Sequence, residues 1–305
     1  MITQRLIPEF LRDICAKIHG EREAGVSDIH VIRNCPIDDE IPELDHDNPV
    51  ADKYAKKKTF VGEAFLELYN TLGETPLMAY QSRNNGNFFT DVVAINRYHG
   101  MQTGYSDSEL VFHNDRTAHW ARADFISLLG LRCPEGEVIY TTFVDGRDIL
   151  AGLSSEYQAV LRRPHFFTPF DVFSRDTNRL QTVSEKHPIL ENHHSFRYLD
   201  AHTTVTPEAP PEAKDALLAM KSALVLATKQ RHRIIEGDLL TFANQDGLHS
   251  RDRIDITDTL RARARWLLKT YAFRDHDARA RYSGHWRDGV TGLIDDERPA
   301  PKQPV

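Results

Sequence analysis

A histidine and an aspartate stand two positions apart in Phe112-His113-Asn114-Asp115, straight after apolar residues. In an extended strand, positions i and i+2 project from one face. His113 and Asp115 would therefore aim an imidazole and a carboxylate at one point. Both are metal donors, and two donors make an incomplete site. A third stands in "GDLLTFANQDGLHSR", where His249 lies just beyond an expected strand. Two histidines and one carboxylate on a β scaffold suit an iron held on one face and open on the other. The pattern recurs at His19-Gly20-Glu21, at the end of an expected helix, with nothing to complete it.

The elements that must position these donors change along the chain. Residues 2–19 space Leu6, Phe10, Ile14 and Ile18 as a helix with one buried stripe, and 49–72 read as a second helix. The lysines at 56–58 are expected on its solvated face. From about 78 to 145, short β-rich runs (NFFTDVVAI, ELVFH, DFISLLGL, EVIYTTFV) alternate with turn residues, which is the texture of a jelly roll. Residues 146–205 are Phe-, His- and Pro-rich, and a long connection of this kind usually carries function, here as a lid. "PPEAKDALLAMKSALVLATK" opens on proline and reads as a helix. Strands return in HRIIEG, DLLTFAN and TLRARARWLLKTYAF. The expected architecture is mostly β with flanking helices, a double-stranded β-helix core. It forms a single domain over 1–295, with a helical part (1–75), a core (76–275) and a disordered tail (296–305).

Composition removes several classes. Of 305 residues, 40% are hydrophobic and 27% charged, enough for a globular core. The net charge of −7, without a basic run, argues against nucleic acid as a partner. No stretch is long and apolar enough to span a membrane, and the charged N-terminal segment does not read as a signal peptide. The three scattered cysteines, Cys15, Cys35 and Cys133, form no disulfide or metal framework, so a cytoplasmic location is expected. Self-association into a homo-oligomer stays open.

The run HNDRTAHWARADFISLLGLRCPEGEVIYTT resembles, without a gap, the clavaminate synthase-like branch of the Fe(II)/2-oxoglutarate-dependent oxygenases. It carries the ligand pair, a second histidine (His119), an Asp-aromatic step (Asp124–Phe125), Arg132 and Thr141. "EGDLLTFANQDGLHSR" resembles the branch's distal-histidine run, with Ser250 in place of glycine. "RWLLK" resembles its Arg-Trp-Leu-x-Arg run. The resemblance implies Fe(II) on His113, Asp115 and His249, with 2-oxoglutarate and O2 as co-substrates. The distal carboxylate of 2-oxoglutarate needs a buried cation, for which arginine is the bidentate choice. The Arg-Trp-Leu context assigns it to Arg265, and the branch's usual distance from the histidine assigns it to Arg263. Context favours Arg265, and Arg263 stays the alternative, because period two would place Arg261, Arg263 and Arg265 on one strand face and leave the choice to the register. Thr141 would add a hydroxyl, with Thr142 as the off-register alternative. His119 stands between orienting a ligand and a structural place, and Arg251 between a site and a surface position.

The same resemblance implies hydroxylation of an unactivated carbon of a free amino acid, because Asp115 fills the position that related halogenases leave to chloride. "RWLLKTYAF" resembles bacterial free L-lysine hydroxylases, which makes lysine, at C3 or C4, the expected substrate. Arginine, ornithine and asparagine are the alternatives. Lys269 stands where the branch's substrate-carboxylate arginine stands, about 13 Å beyond Arg265 on one strand face at ~3.3 Å per residue. Asp200 is the candidate acceptor for a cationic side chain, and Thr103 and Ser106 for the amino-acid head.

Overall fold

The computed structural model describes residues 6–177, 182–255 and 257–296. Most of the tail expected to be disordered lies outside these residues, but Asp296 is described and buried. The chain opens with α1 (Glu9–Glu23), β1 (Ile29–Ile32), α2 (Pro49–Lys56) and α3 (Val61–Leu72). The helical N-terminal part thus contains a strand. The helix expected over 49–72 is two, broken where the chain turns to bury Lys57.

That burial has a cause. Lys57 Nζ lies 2.9 Å from Asp38 and also contacts Glu63. Lys53 Nζ lies 3.0 Å from both Glu63 and Asp91. Lys57 is therefore a paired core lysine, not part of a solvated face. The pairing matters because breaking one partner of a buried ion cluster is expensive. Asp91 also accepts from Trp266 Nε1 (3.0 Å), so the cluster ties the helices to the residue beside Arg265.

The β core follows in β2 (Leu77–Tyr80), β3 (Phe89–Val93), β4 (Leu110–His113), β5 (Phe125–Arg132) and β6 (Val138–Asp145). Next come α4 (Gly146–Ala151), α5 (Ser155–Leu161), β7 (Phe166–Phe167), α6 (Val172–Thr177), β8 (Thr204–Val205) and α7 (Pro211–Leu226). The remaining elements are β9 (Gln230–His232), β10 (Leu239–Ala243), β11 (Gly247–Asp255), α8 (Thr259–Arg263), β12 (Trp266–Ala272), α9 (His276–Ala280) and β13 (Leu293–Ile294). Three sheets form among the described residues, the smallest being the β7-β8 pair and the other two building the core. The larger core sheet runs β1-β10-β5-β12-β2-β13 with β3 also on β12, and the smaller runs β4-β11-β6-β9. This is the jelly roll expected from the strand spacing, although β1 and β13 extend it beyond 76–275.

Two expectations change. TLRARARWLLKTYAF is not one strand. Asp258 accepts from the backbone N–H groups of Leu260 (2.9 Å) and Arg261 (3.2 Å), an N-cap that starts α8 in a stretch of good helix formers. Arg261, Arg263 and Arg265 therefore share no strand face. Nor is 146–205 irregular throughout, because α4 and α5 pack with α7 around Ile149, Leu161, Met220 and Leu224 in a second core.

The loop stretch beyond α5 is pinned by His187. Its Nε2 meets Thr168 Oγ1 at 3.0 Å and its Nδ1 meets Pro188 O at 2.8 Å. Burial, aided by Arg197, pushes its pKa down to about 3. The folded state thus refuses a proton that the unfolded chain takes near pH 6.5. Stability is full above that pH and falls by up to about 1.4 kcal/mol per unit as pH drops toward the folded value. Denaturant midpoints measured from pH 7 to 4 should fall more steeply for wild type than for His187→Gln; equal slopes would contradict this.

Candidate metal and co-substrate site

β11 lies between β4 and β6, and its register sets His249 directly opposite His113 on one side and Phe143 on the other. Opposed residues of an antiparallel pair project to the same face. The two imidazoles stand 4.2 Å apart, centroid to centroid. Gly247 lets β11 pass the Phe143 ring of β6, which a Cβ there would meet at 2.3 Å.

β4 ends at His113, so Asp115 lies in the following turn rather than in the strand. Asn114 is the clamp that brings it back. Its Nδ2 donates to the carbonyls of Asn244 (2.6 Å) and Gly247 (2.9 Å), and its Oδ1 accepts from Tyr198 N (2.9 Å). Asp115 N donates to Asn244 Oδ1 at 2.8 Å. The carboxylate then faces both imidazoles, with Oδ1 3.2 Å from His113 Nε2 and 3.5 Å from His249 Nε2.

These three donors fit a metal. One ligand atom from each lies within 4.8 Å of the others. His113 Nδ1 is 2.8 Å from Val111 O. A carbonyl only accepts, so the proton sits on Nδ1 and Nε2 keeps its lone pair. Burial, then His113, pushes His249 down to about 4, so it is neutral near pH 7. Burial alone would raise the Asp115 carboxyl, but Lys269 and the two histidines hold it well below the usual range. Asp115 Oδ2 receives Lys269 Nζ (2.7 Å) and Tyr271 OH (2.8 Å), which turns Oδ1 to the histidines.

The neighbouring cavity joins the triad to Thr141, Arg251, Arg265 and Leu267. Residues 265, 267, 269 and 271 all border the site, the alternation of one face of β12. Arg265 is half-buried, and its Nη2 atom is buried with no hydrogen-bond partner among the described residues. Arg251, half-buried beside it, donates among the described residues to the backbone carbonyls of Thr103, Gly104 and Ser108. Desolvation, then Arg265 and Arg253, pulls Arg251 down to about 9. Two guanidiniums with no carboxylate partner among the described residues make a receptor for an anion. Arg263 is spent on Asp107 at 2.6 Å. Thr142 is spent on Asp252 at 2.6 Å, whereas Thr141 lines the cavity.

Other expected residues fall differently. Lys269 meets Asp115 instead of standing apart from the triad. Thr103 lines the larger cavity on the open side of the triad, its buried hydroxyl without a partner. Ser106 borders the Arg263 side instead and accepts from Ser108 N. Asp200 does not line the cavity, and Lys221 Nζ (2.8 Å) and Tyr198 OH claim its carboxylate. His119 lines the cavity without bonding a triad member, and burial pushes it down to about 3. Tyr271 was missed, although the alternation through 265, 267 and 269 points to it. Arg83 and Asp171 were also missed and had no motif to mark them.

The sequence profile of the taurine catabolism dioxygenase TauD, TfdA family matches residues 60–271. The chain belongs to that family. It is a 2-oxoglutarate-dependent dioxygenase, and Fe(II), 2-oxoglutarate and O2 are the family's reagents. The L-asparagine oxygenase of Streptomyces coelicolor is 27% identical over 261 residues, covering 83% of this chain and 73% of the relative. The fold matches asparagine oxygenase in complex with Fe(II), 2S,3S-3-hydroxyasparagine and succinate, with TM-score 0.76 and 23% identity over 94% of this chain and 85% of that one. It also matches the non-haem iron oxygenase OrfP with Fe, succinate and (3R,4R)-dihydroxy-L-Arg, with TM-score 0.75 and 20% identity over 94% and 86%. No helix among the described residues is long and apolar enough to cross a membrane.

In this TauD-family site the Tyr271 hydroxyl would orient the ligand carboxylate. Tyr271→Phe removes the bond without changing charge. Anaerobic Fe(II) titration should show affinity about 10-fold weaker, the scale of a lost outer-shell partner. Unchanged affinity would show that the hydroxyl does not orient Asp115.

Proposed function

We propose that the protein hydroxylates an unactivated carbon of a free amino acid. Fe(II) would be held by His113, Asp115 and His249, and 2-oxoglutarate by Arg265 and Thr141. The observation that carries this reading is the unpartnered guanidinium edge of Arg265, buried in the cavity it shares with the triad. When bound, iron and 2-oxoglutarate supply the activation of O2 and the oxygen transferred. The chain supplies the rest. Arg265 and Thr141 would fix the distal carboxylate, and Arg251 adds positive potential. Asp115 is kept ionised, and the apolar wall of Leu110, Ile126, Leu128 and Leu267 keeps water sparse. The three unpaired thiols favour a cytoplasmic enzyme.

Amino acids are the substrates or products in the names of the relatives. L-Lysine is the substrate we favour, on the RWLLK run. Asparagine is the second reading. Asp200, expected to take a cationic side chain, is committed to Lys221 and Tyr198. The test is succinate formation with Fe(II), ascorbate and 2-oxoglutarate, each amino acid added separately and weighed by mass spectrometry. Succinate with lysine gaining one oxygen atom is expected. The same with asparagine keeps the class and changes the substrate. No amino-acid-dependent succinate from iron-loaded protein would contradict the reading. Arg265→Ala should raise the KM for 2-oxoglutarate at least about 30-fold, the lower end for an unpaired buried charge partner.

A further inference from the structure

The larger cavity on the open side of the triad holds a charge pair that the family assignment leaves without a role. Arg83 follows β2, is 8% exposed and lines this cavity. Its Nη2 donates to Ser174 Oγ at 2.7 Å, and its guanidinium lies over the Phe173 ring at 4.4 Å from the centroid. Its Nε is buried and has no partner among the described residues. Asp171, immediately before α6, lines the same cavity and stands 3.6 Å from Arg83 Nη2, too far for a tight fork. Asp171 Oδ1 accepts from Ser174 N at 2.6 Å. Ser174 thus holds both charges at a fixed separation while leaving each room for another partner.

The other cations of the cavity are more fully engaged. Lys269 is on Asp115 at 2.7 Å, and Arg116 is on Asp296 at 2.6 Å. Arg116 Nε is unpartnered too, but among the described residues Arg83 is the cavity guanidinium without a close ion pair, its nearest carboxylate, Asp171, standing at 3.6 Å. An α-amino acid carries a carboxylate and an ammonium on one carbon, a few ångströms apart. Fixed, buried complementary charges select such a pair by leaving unpaired groups when either is missing.

We propose that Arg83 and Asp171 are the specificity-determining pair that receives the zwitterionic head of the substrate. Arg83 binds the carboxylate through Nε and its free edge, and Asp171 binds the ammonium. Lys269, expected in the first role, serves Asp115 instead. This rests on the amino-acid reading above.

The test uses iron-loaded holoenzyme and whichever of L-lysine or L-asparagine the wild type turns over. The competitors are its decarboxylated counterpart (1,5-diaminopentane or 3-aminopropanamide) and its des-amino counterpart (6-aminohexanoate or succinamate). Arg83→Met should raise the KM for the amino acid about 10- to 100-fold, the range for hydrogen bonds to charged groups. It should leave the inhibition constant of the decarboxylated counterpart unchanged, and Arg83→Lys should recover part of the loss. Asp171→Asn should raise the same KM while leaving inhibition by the des-amino counterpart unchanged. Unaltered 2-oxoglutarate affinity shows that the variants keep the site. If Arg83→Met loses that affinity, Arg83→Gln decides in its place. An unchanged KM, or counterparts weakened as much as the amino acid, overturns the assignment. A wild type that turns over no amino acid overturns the amino-acid reading and this assignment with it.

Discussion

The register of β11 between β4 and β6 is the constraint on which the site depends. Antiparallel pairing makes side-chain facing a matter of parity, so a slip of one residue would send His249 to the opposite face. Several independent features hold the register. Gly247 lets the strand pass the Phe143 ring, and Asn114 and Asn244 staple the turn after β4 to the turn before β11. The Asn114 side chain also reaches Tyr198, so the segment whose Leu199 lines the larger cavity and the turn that carries Asp115 share one hydrogen-bonded support. Geometry this over-determined is what a metal site requires of its scaffold.

Around the donors, charge is arranged by position. On one side, Arg251 and Arg265 have backbone carbonyls or no partner among the described residues, an arrangement costly in isolation and offset if an anion enters. On the other side the cations are divided. Lys269 neutralises the Asp115 carboxylate, Arg116 is spent on Asp296, and Arg83 stands 3.6 Å from Asp171. A cluster further out, Lys53 with Asp91 and Glu63, reaches the site through Trp266, which immediately follows Arg265. On the proposed reading, an anion receptor for the co-substrate and a mixed-charge receptor for the substrate flank one metal centre.

Much of this was legible in the sequence. That His113, Asp115 and His249 could converge was readable because donor type and spacing are local properties, and the strand runs were readable because period two survives without tertiary context. The place of Arg265 beside them was suggested by its Trp-Leu neighbours, although the helix at Thr259–Arg263 was not legible. There an Asp258 cap overrode an apparent strand alternation. Lys57 looked solvated because the turn that buries it against Asp38 exists only in the folded chain. Asp200 lay near the right place in the chain, but Tyr198 and Lys221 turned it to other work. Arg83 and Asp171 left no local signal, since a pair drawn from a loop after β2 and a loop before α6 exists only once the chain is folded.

His113 at the end of β4, Asp115 in the turn after it and His249 in β11 are proposed to hold one iron. Equilibrium Fe(II) binding under anaerobic conditions decides this, on wild type and on His113→Ala, Asp115→Ala and His249→Ala. One equivalent per wild-type chain is expected, with each variant at least about 10-fold weaker and its secondary structure retained. Binding that survives removal of Asp115 or His249 undiminished would place the metal elsewhere.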